Sequence, residues 1–267
     1  MVLRQRILTA LVMAPLALLG LFGLSGAPFA LFTGAVLLVG AWEWANLAGF
    51  MRQAPRLAFV GFCAAAMALL WGTGIVHQPW PLWLGMLGWL ANLYWVVRYP
   101  HHNTQWQGRT TRLAMGLWVL LPCWVGFVQL RSDGAEWLLF VLLLVWVADI
   151  GAYFAGRAFG RRKLAVRVSP GKSWEGVYGG MLAVVLLAWG FAQWQGLAAA
   201  DTLRLMALAL PVVLISVLGD LFESMLKRQR GLKDSSHLLP GHGGVLDRID
   251  SLTAAIPLFV LLRPWLG

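Results

Sequence analysis

The sequence predicts an all-α fold: a polytopic membrane bundle of about nine transmembrane helices with its N-terminus in the cytoplasm. Three observations carry that prediction. Hydrophobic residues make up 60% of the 267-residue chain and charged residues only 12%, too few to clothe a soluble domain. Apolar runs long enough to cross a bilayer recur along the whole chain. Runs such as LLFVLLLVWVA, residues 138–148, do not alternate as the strands of a membrane barrel must.

The first span, about 7–24, follows Arg4 and Arg6. This basic start, the apolar stretch and Ser25-Gly26-Ala27 imitate a signal peptide. Pro28 would directly follow the cleavage point, however, and the run from Ile7 to Leu24 is long enough to cross, so we read a retained helix. Further spans follow at about 28–48, 57–75, 80–97, 113–130, 136–157, 174–195, 203–222 and 252–266, the last being short unless Ser251 extends it. A charge test supports this count. With the N-terminus inside, all of the 21 Lys and Arg except Arg131, Arg204 and Arg263 fall on the cytoplasmic side. One missed helix would swap every later loop, so the positive-inside rule favours this topology, with the C-terminus outside and the two longest polar loops in the cytoplasm.

The net charge of +10 therefore reads as orientation and contact with anionic lipid; no nucleic-acid-binding motif accompanies it. Cys63 and Cys123 sit in apolar runs without metal-ligand spacing and read as small apolar residues. No second domain is marked. Residues 1–130 carry few polar groups and read as N-terminal transmembrane scaffold. Residues 131–267, with cytoplasmic loops 158–173 and 223–251, read as the working part of one continuous membrane domain.

The acidic residues are distributed unevenly. Asp133, Glu136 and Asp201 fall outside; Glu43, Asp149, Glu175, Asp220, Glu223, Asp234, Asp247 and Asp250 fall in cytoplasmic loops or the cytoplasmic ends of spans. A charged side chain at the bilayer centre costs roughly 2.5–3.5 kcal/mol, so Asp149 and Asp220 need a partner, a cation or water. Asp220, Glu223, Ser224 and Lys227 share one helical face, as do Asp149 with Tyr153, and Asp247 with Asp250 if LDRIDS opens the ninth helix. Oxygen ligands without His or Cys suit Mg²⁺, which takes one or two carboxylates and completes its shell with water and phosphate. The plainer alternative is ion pairing that only holds helices together. Glu43, alone in AWEWANLAG, reads as a hydrogen-bond partner between helices.

The two polar loops supply cations. In RVSPGKSWEG, 167–176, the GKS fragment lacks the earlier glycine and the preceding strand of a P-loop, so a Walker fold is rejected. Gly171 is expected to let the backbone turn and Ser173 to cap the seventh helix, with Lys172 at that helix's N-terminus, where an anion is favoured. The second loop supplies Lys227, Arg228, Arg230 and Lys233 and then PGHGG, 240–244. Basic residues alone would fit a lipid-headgroup patch. The glycines add backbone amides that can approach a phosphate, and His242 adds a hydrogen-bonding group. His237 and His242 have neither a Cys nor a third His for zinc. These features point to phosphoryl or nucleotidyl transfer, assisted by a metal, with a second substrate that lives in lipid.

SMLKRQRGLKDSSHLLPGHGGVLDRID, Ser224 to Asp250, resembles the signature of the phosphatidate cytidylyltransferase (CDP-diacylglycerol synthase) family at every fixed position of that pattern. Trp146 to Gly176 is similar to a second region of the same family, and residues 1–130 resemble it only in hydropathy. The resemblance implies that CTP and phosphatidic acid give CDP-diacylglycerol and pyrophosphate. It implies Mg²⁺, with a second cation left open, and an all-helical homodimer in the bacterial inner membrane whose active site faces the cytoplasm.

On that reading Asp220, Asp247 and Asp250 gather the metal, with Asp149 close by. Lys172, Lys227, Arg228, Lys233 and Arg248 bind CTP phosphates or the phosphatidate headgroup, and Gly243 and Gly244 bring backbone amides to the triphosphate. His242 orients or stabilises, Ser173 and Ser224 contact substrate, and Glu175 and Asp234 steady the cations. Two other readings stay open: a CTP-dependent lipid-alcohol kinase, which would transfer the γ-phosphate, and a cation transporter with intramembrane carboxylates.

Overall fold

A computed structural model describes residues 2–266, with side chains for Thr9 and from Leu11 onward; the side chains of Arg4 and Arg6 therefore lie outside the described ones. Among the described residues the chain forms nine α-helices: α1 (Val2–Leu18), α2 (Gly26–Leu47), α3 (Gln53–Gly72), α4 (Trp80–Arg98), α5 (Arg109–Asp133), α6 (Ala135–Phe159), α7 (Trp174–Trp194), α8 (Ala199–Gln229) and α9 (Leu246–Leu262). Seven of them, α2, α3 and α5–α9, are long and apolar enough to cross a membrane, α9 by running on through residue 266. The other two fall short for different reasons. The α1 helix has 17 residues and passes into a π-helical turn at Leu19–Gly23, and α4 carries Asn92, Tyr94 and Arg98 in its second half.

The expectation of an all-α chain needs one addition. The segment between α6 and α7 folds into a two-stranded antiparallel hairpin, β1 (Lys163–Ala165) and β2 (Ser169–Ser173). Gly171 lies within β2 rather than at a turn, with no left-handed φ. The second polar loop is also shorter than residues 223–251: α8 continues through Gln229 and α9 begins at Leu246. In these extensions Lys227 and Asp247 pair across the gap between the two helices, while Arg228 and Arg248 stay exposed. At about 1.5 Å per residue, 31-residue α8 is roughly 46 Å long, longer than a hydrocarbon core of about 30 Å.

Packing follows membrane rules. Lipid offers little hydrophobic drive between helices, so close approach of small residues matters. The α6 helix lies along α7, α7 along α8 and α8 along α9, while α5 packs on α2, α4 and α9. At the α6–α7 seam a Cβ on Gly151 would come within 2.9 Å of the Gly179 carbonyl oxygen.

Aromatic clusters hold the two ends. Phe222 of α8 packs against Trp44 of α2 and Trp89 of α4, at ring separations of 6.0 and 5.7 Å. At the other end Phe140, Phe191 and Phe259 join α6, α7 and α9. An ion pair between Arg263 and Asp133 also lies at that second end. The first end gathers the C-termini of α2, α6 and α8, the N-termini of α7 and α9, and the hairpin.

Candidate active site

Two structural decisions create the site. The first is the crossing of α8 and α9. A Cβ on Gly219 would lie 2.6 Å from the Asp250 carbonyl oxygen, so only glycine admits this approach, and it sets Asp220 beside Asp250. The second is the β-hairpin, which carries Lys172 to α8. The Lys172 ammonium lies 2.6 Å from Asp220 Oδ2, and Ser224 donates to Asp220 Oδ1 at 3.1 Å. Asp149 of α6 lies within electrostatic reach of Lys172, Asp220 and Arg248. Asp250 lies in the same way near Asp220, Lys227 and Lys172, and one of its oxygens accepts the Ser251 N–H at 2.6 Å.

Asp149 and Arg248 are exposed and Asp220 and Asp250 half-buried. These four and Lys172 form a polar cluster with Asp149 and Arg248 on its accessible side. Among the described residues no three His, Cys, Asp or Glu form a ready-made metal cage. Asp149 and Asp250, with Asp220 once Lys172 releases it, nonetheless suit Mg²⁺, because that ion binds through few carboxylates and takes the rest of its shell from water and phosphate.

Behind this site lies a buried ionic layer. Lys227 lies 2.6 Å from Asp247 Oδ1 and 3.3 Å from Glu223 Oε1, and all three side chains are nearly inaccessible. The other oxygen of Asp247 accepts the Ser235 N–H at 2.9 Å, the Ser235 hydroxyl at 3.0 Å and the Gly244 N–H at 2.7 Å. Asp247 thus differs from the outward-facing ligand expected of it: its lone pairs already organise the loop, and it could reach a cation only by releasing Lys227. Lys227 likewise faces carboxylates rather than open solvent.

The loop 230–245 is fastened from α2. Glu43, fully buried, accepts the Ser236 hydroxyl at 2.5 Å, the Leu246 N–H at 2.6 Å, the Val245 N–H at 3.0 Å and the Ser235 hydroxyl at 3.3 Å. The first amides of α9 have no cap of their own, and this carboxylate from another helix serves instead. Asn46 donates to the Ser235 carbonyl at 3.3 Å, and Thr9 to that of Pro240 at 2.9 Å. In PGHGG, Gly243 adopts φ +83°, and its carbonyl accepts the Leu239 N–H at 2.8 Å, closing a tight turn. Gly244 is pressed against Ser235 Oγ and Glu43, leaving no room for a side chain.

The remaining expected residues separate into groups. The Gly244 amide is bonded to Asp247 and so turned from a triphosphate; of the expected pair, Gly243 is left. Ser173 caps α7 by accepting the Gly176 N–H at 3.2 Å and is buried, so its hydroxyl serves the helix rather than a ligand. Glu175 does steady a cation, Arg162 at 3.2 Å, and also accepts the Arg161 and Arg162 amides, which anchors the base of the hairpin. Arg228 donates to the carbonyls of Val168 and Leu232, both at 3.3 Å, tying hairpin and loop to α8. Lys233 is exposed, Asp234 half-buried, and His242 Nδ1 is buried without a hydrogen-bond partner among the described residues.

Sequence reasoning passed over Ser235, Ser236 and Gly219, and underrated Glu43. A signal was present for Glu43: it is a carboxylate inside an apolar span, as Asp149 and Asp220 are.

Comparison with known proteins adds to this geometry. The model of a family described as "Cytidylyltransferase family" matches residues 4–265. The chain is 51% identical over 268 residues to a phosphatidate cytidylyltransferase of Pseudomonas aeruginosa, covering 97% of this chain and 96% of that protein. It is 41% identical over 280 residues to one of Haemophilus influenzae, covering 96% and 97%. It is 38% identical over 262 residues to one of Brucella suis, covering 97% and 92%.

Proposed function

Because the chain belongs to the cytidylyltransferase family, we propose that its polar site joins CTP to phosphatidic acid, releasing pyrophosphate and leaving CDP-diacylglycerol in the membrane. The observation that carries this reading is the convergence of Asp149, Asp220 and Asp250 with Lys172 and Arg248 at one end of a membrane-spanning bundle. A soluble nucleotide and a lipid headgroup can meet only at such an end.

In the reaction a phosphate oxygen of phosphatidic acid attacks the α-phosphorus of CTP. The bond from that phosphorus to the oxygen bridging to the β-phosphate breaks, and pyrophosphate departs. A phosphate monoester is largely ionised near neutral pH, with a second pKa of about 6, so no strong general base is required. Lys172 and Arg248 offset the charge that gathers as the bond breaks. Lys233, exposed in the loop, adds a cation for the outer phosphates, and His242 orients the substrate from the turn. Lys227, Glu223 and Asp247 hold this arrangement from behind.

Mg²⁺, held by Asp220 and Asp250 with Asp149 close by, would supply positive charge to the leaving pyrophosphate, and a second cation is compatible with the remaining carboxylates. We place the site on the cytoplasmic face of a bacterial inner membrane. The distribution of Lys and Arg supports that orientation, and the relatives come from bacteria. We take the working unit to be a homodimer, which native mass spectrometry tests.

CTP labelled separately on its α- and γ-phosphates tests the reaction. With purified protein, phosphatidic acid and Mg²⁺, α-label enters the lipid and γ-label leaves as pyrophosphate. Transfer of the γ-label to lipid would make the protein a kinase. Ion flux without transfer of either label would make it a transporter.

A further inference from the structure

Beside the polar site lies a cavity of about 510 Å³ between α4, α7, α8 and the β-hairpin, within the range of roughly 300–1,000 Å³ common for small-molecule sites. Its inner wall is buried and apolar, with Val96 of α4, Val177 of α7 and Leu218 and Leu221 of α8. Its outer rim is open: Val97 is 70% exposed and Val166, at the hairpin turn, 62%. The exposed part of the rim is mostly apolar, the composition that a surface facing acyl chains would have. The charged residue of the lining, Arg167, is exposed and carries N–H donors suited to ester carbonyls.

Two connections tie this cavity to the polar site. On α8, Leu221 of its wall directly follows Asp220. The hairpin that roofs it with Leu164 and Val166 also carries Lys172, which reaches Asp220 at 2.6 Å. Arg228 locks that roof to α8 through the Val168 carbonyl. Along α8 the wall runs from Leu214 to Leu221, about 10 Å at 1.5 Å per residue.

We propose that this cavity seats one acyl chain of the phosphatidate, fixing where its phosphate stands relative to CTP and making turnover sensitive to chain length. The proposal rests on reading the polar site as the phosphatidate site. Moving a chain from lipid into an apolar groove gains little hydrophobic energy, since both surroundings are apolar. The gain is positional: one end of the substrate is held, so the other is presented in reacting geometry. The groove therefore acts on kcat/KM for chains long enough to enter it.

The test compares wild type and Val217→Trp, whose indole would fill the cavity from α8, on dioleoyl- and dioctanoyl-phosphatidate in detergent. Roughly a tenfold fall in kcat/KM on the long chain, with the short chain within about twofold, is expected from mispositioning alone. Equal losses on both chains, or none on either, would overturn the proposal. Because the variant could fold poorly, wild-type protein is also photolabelled with phosphatidate bearing a diazirine at the end of one acyl chain. Label concentrated on Val97, Val166 and Val217 supports the groove; label spread equally over Leu31 and Phe62, on other exposed faces, overturns it. Disulfide linkage of two Val97→Cys copies that excludes lipid label would assign the groove to a second copy and overturn it as well. If wild type makes CDP-diacylglycerol from neither substrate, the reaction reading fails, while the label map still reports on the groove.

Discussion

Replacing Glu43 by alanine tests whether the loop 230–245 is a preorganised part of the site. This carboxylate lies on α2, far in sequence from the polar site, and is fully buried while accepting bonds from four donors. Alanine would leave the Val245 and Leu246 amides and the Ser236 hydroxyl without their acceptor, while Ser235 could still donate to Asp247. Each orphaned donor costs about 1–3 kcal/mol where water cannot reach it, and alanine orphans these three. Taking about 3 kcal/mol as a floor, the loop should open roughly a hundredfold more often, since each 1.4 kcal/mol is a factor of ten. Hydrogen exchange on residues 235–246 should accelerate by that factor, and CDP-diacylglycerol synthesis should fall at least about tenfold as the turn ceases to present His242 and Gly243. Glutamine should rescue little, because its amide NH₂ would face N–H and O–H donors. Unchanged exchange and unchanged turnover in Glu43→Ala would refute the idea that α2 fastens this loop.

Other perturbations separate the layers of the site. Lys227→Met should lower stability by about 3–5 kcal/mol by leaving Glu223 and Asp247 buried without their cation, seen as a lower melting temperature in detergent. Asp220→Asn breaks a pair that is a quarter to a third exposed, so stability should change by less than about 1 kcal/mol while synthesis falls by about a hundredfold or more; radiolabel incorporation into lipid separates the two effects. Gly219→Leu should force α8 from α9 against the Asp250 carbonyl, at a cost of about 1–3 kcal/mol, and turnover should fall further than the melting temperature alone accounts for.

Much of the helical framework was legible because a membrane-spanning run and its boundaries are local properties. The face bearing Asp220, Glu223, Ser224 and Lys227 followed from helical spacing, and Ser173 capped the helix that its position suggested. The hairpin 163–173 was not legible. Its second strand, SPGKS, has no strand pattern and is held by Glu175 at its base and by Arg228 bonded to Val168. Nor was the orientation of Asp247 legible. Three residues from Asp250 on a shared helix face, it ion-pairs with Lys227 and accepts the Ser235 and Gly244 amides, while Asp250 stands near both Lys227 and Asp220.

By itself the amino-acid order determined a membrane bundle, the clustering of its carboxylates and cations in two polar segments, and a family resemblance carried by residues 224–250. These depend on composition, period and motif, which neighbours along the chain define. Which carboxylates face a ligand and which hold the scaffold was decided only by tertiary structure. Glu43 and Leu246 stand 203 positions apart and meet at 2.6 Å, and Lys172 finds Asp220 through a hairpin with no local pattern. Charges become useful or merely structural according to which partner reaches them first, and that is settled by helix crossings such as the one at Gly219, where the absence of a side chain brings two helices together.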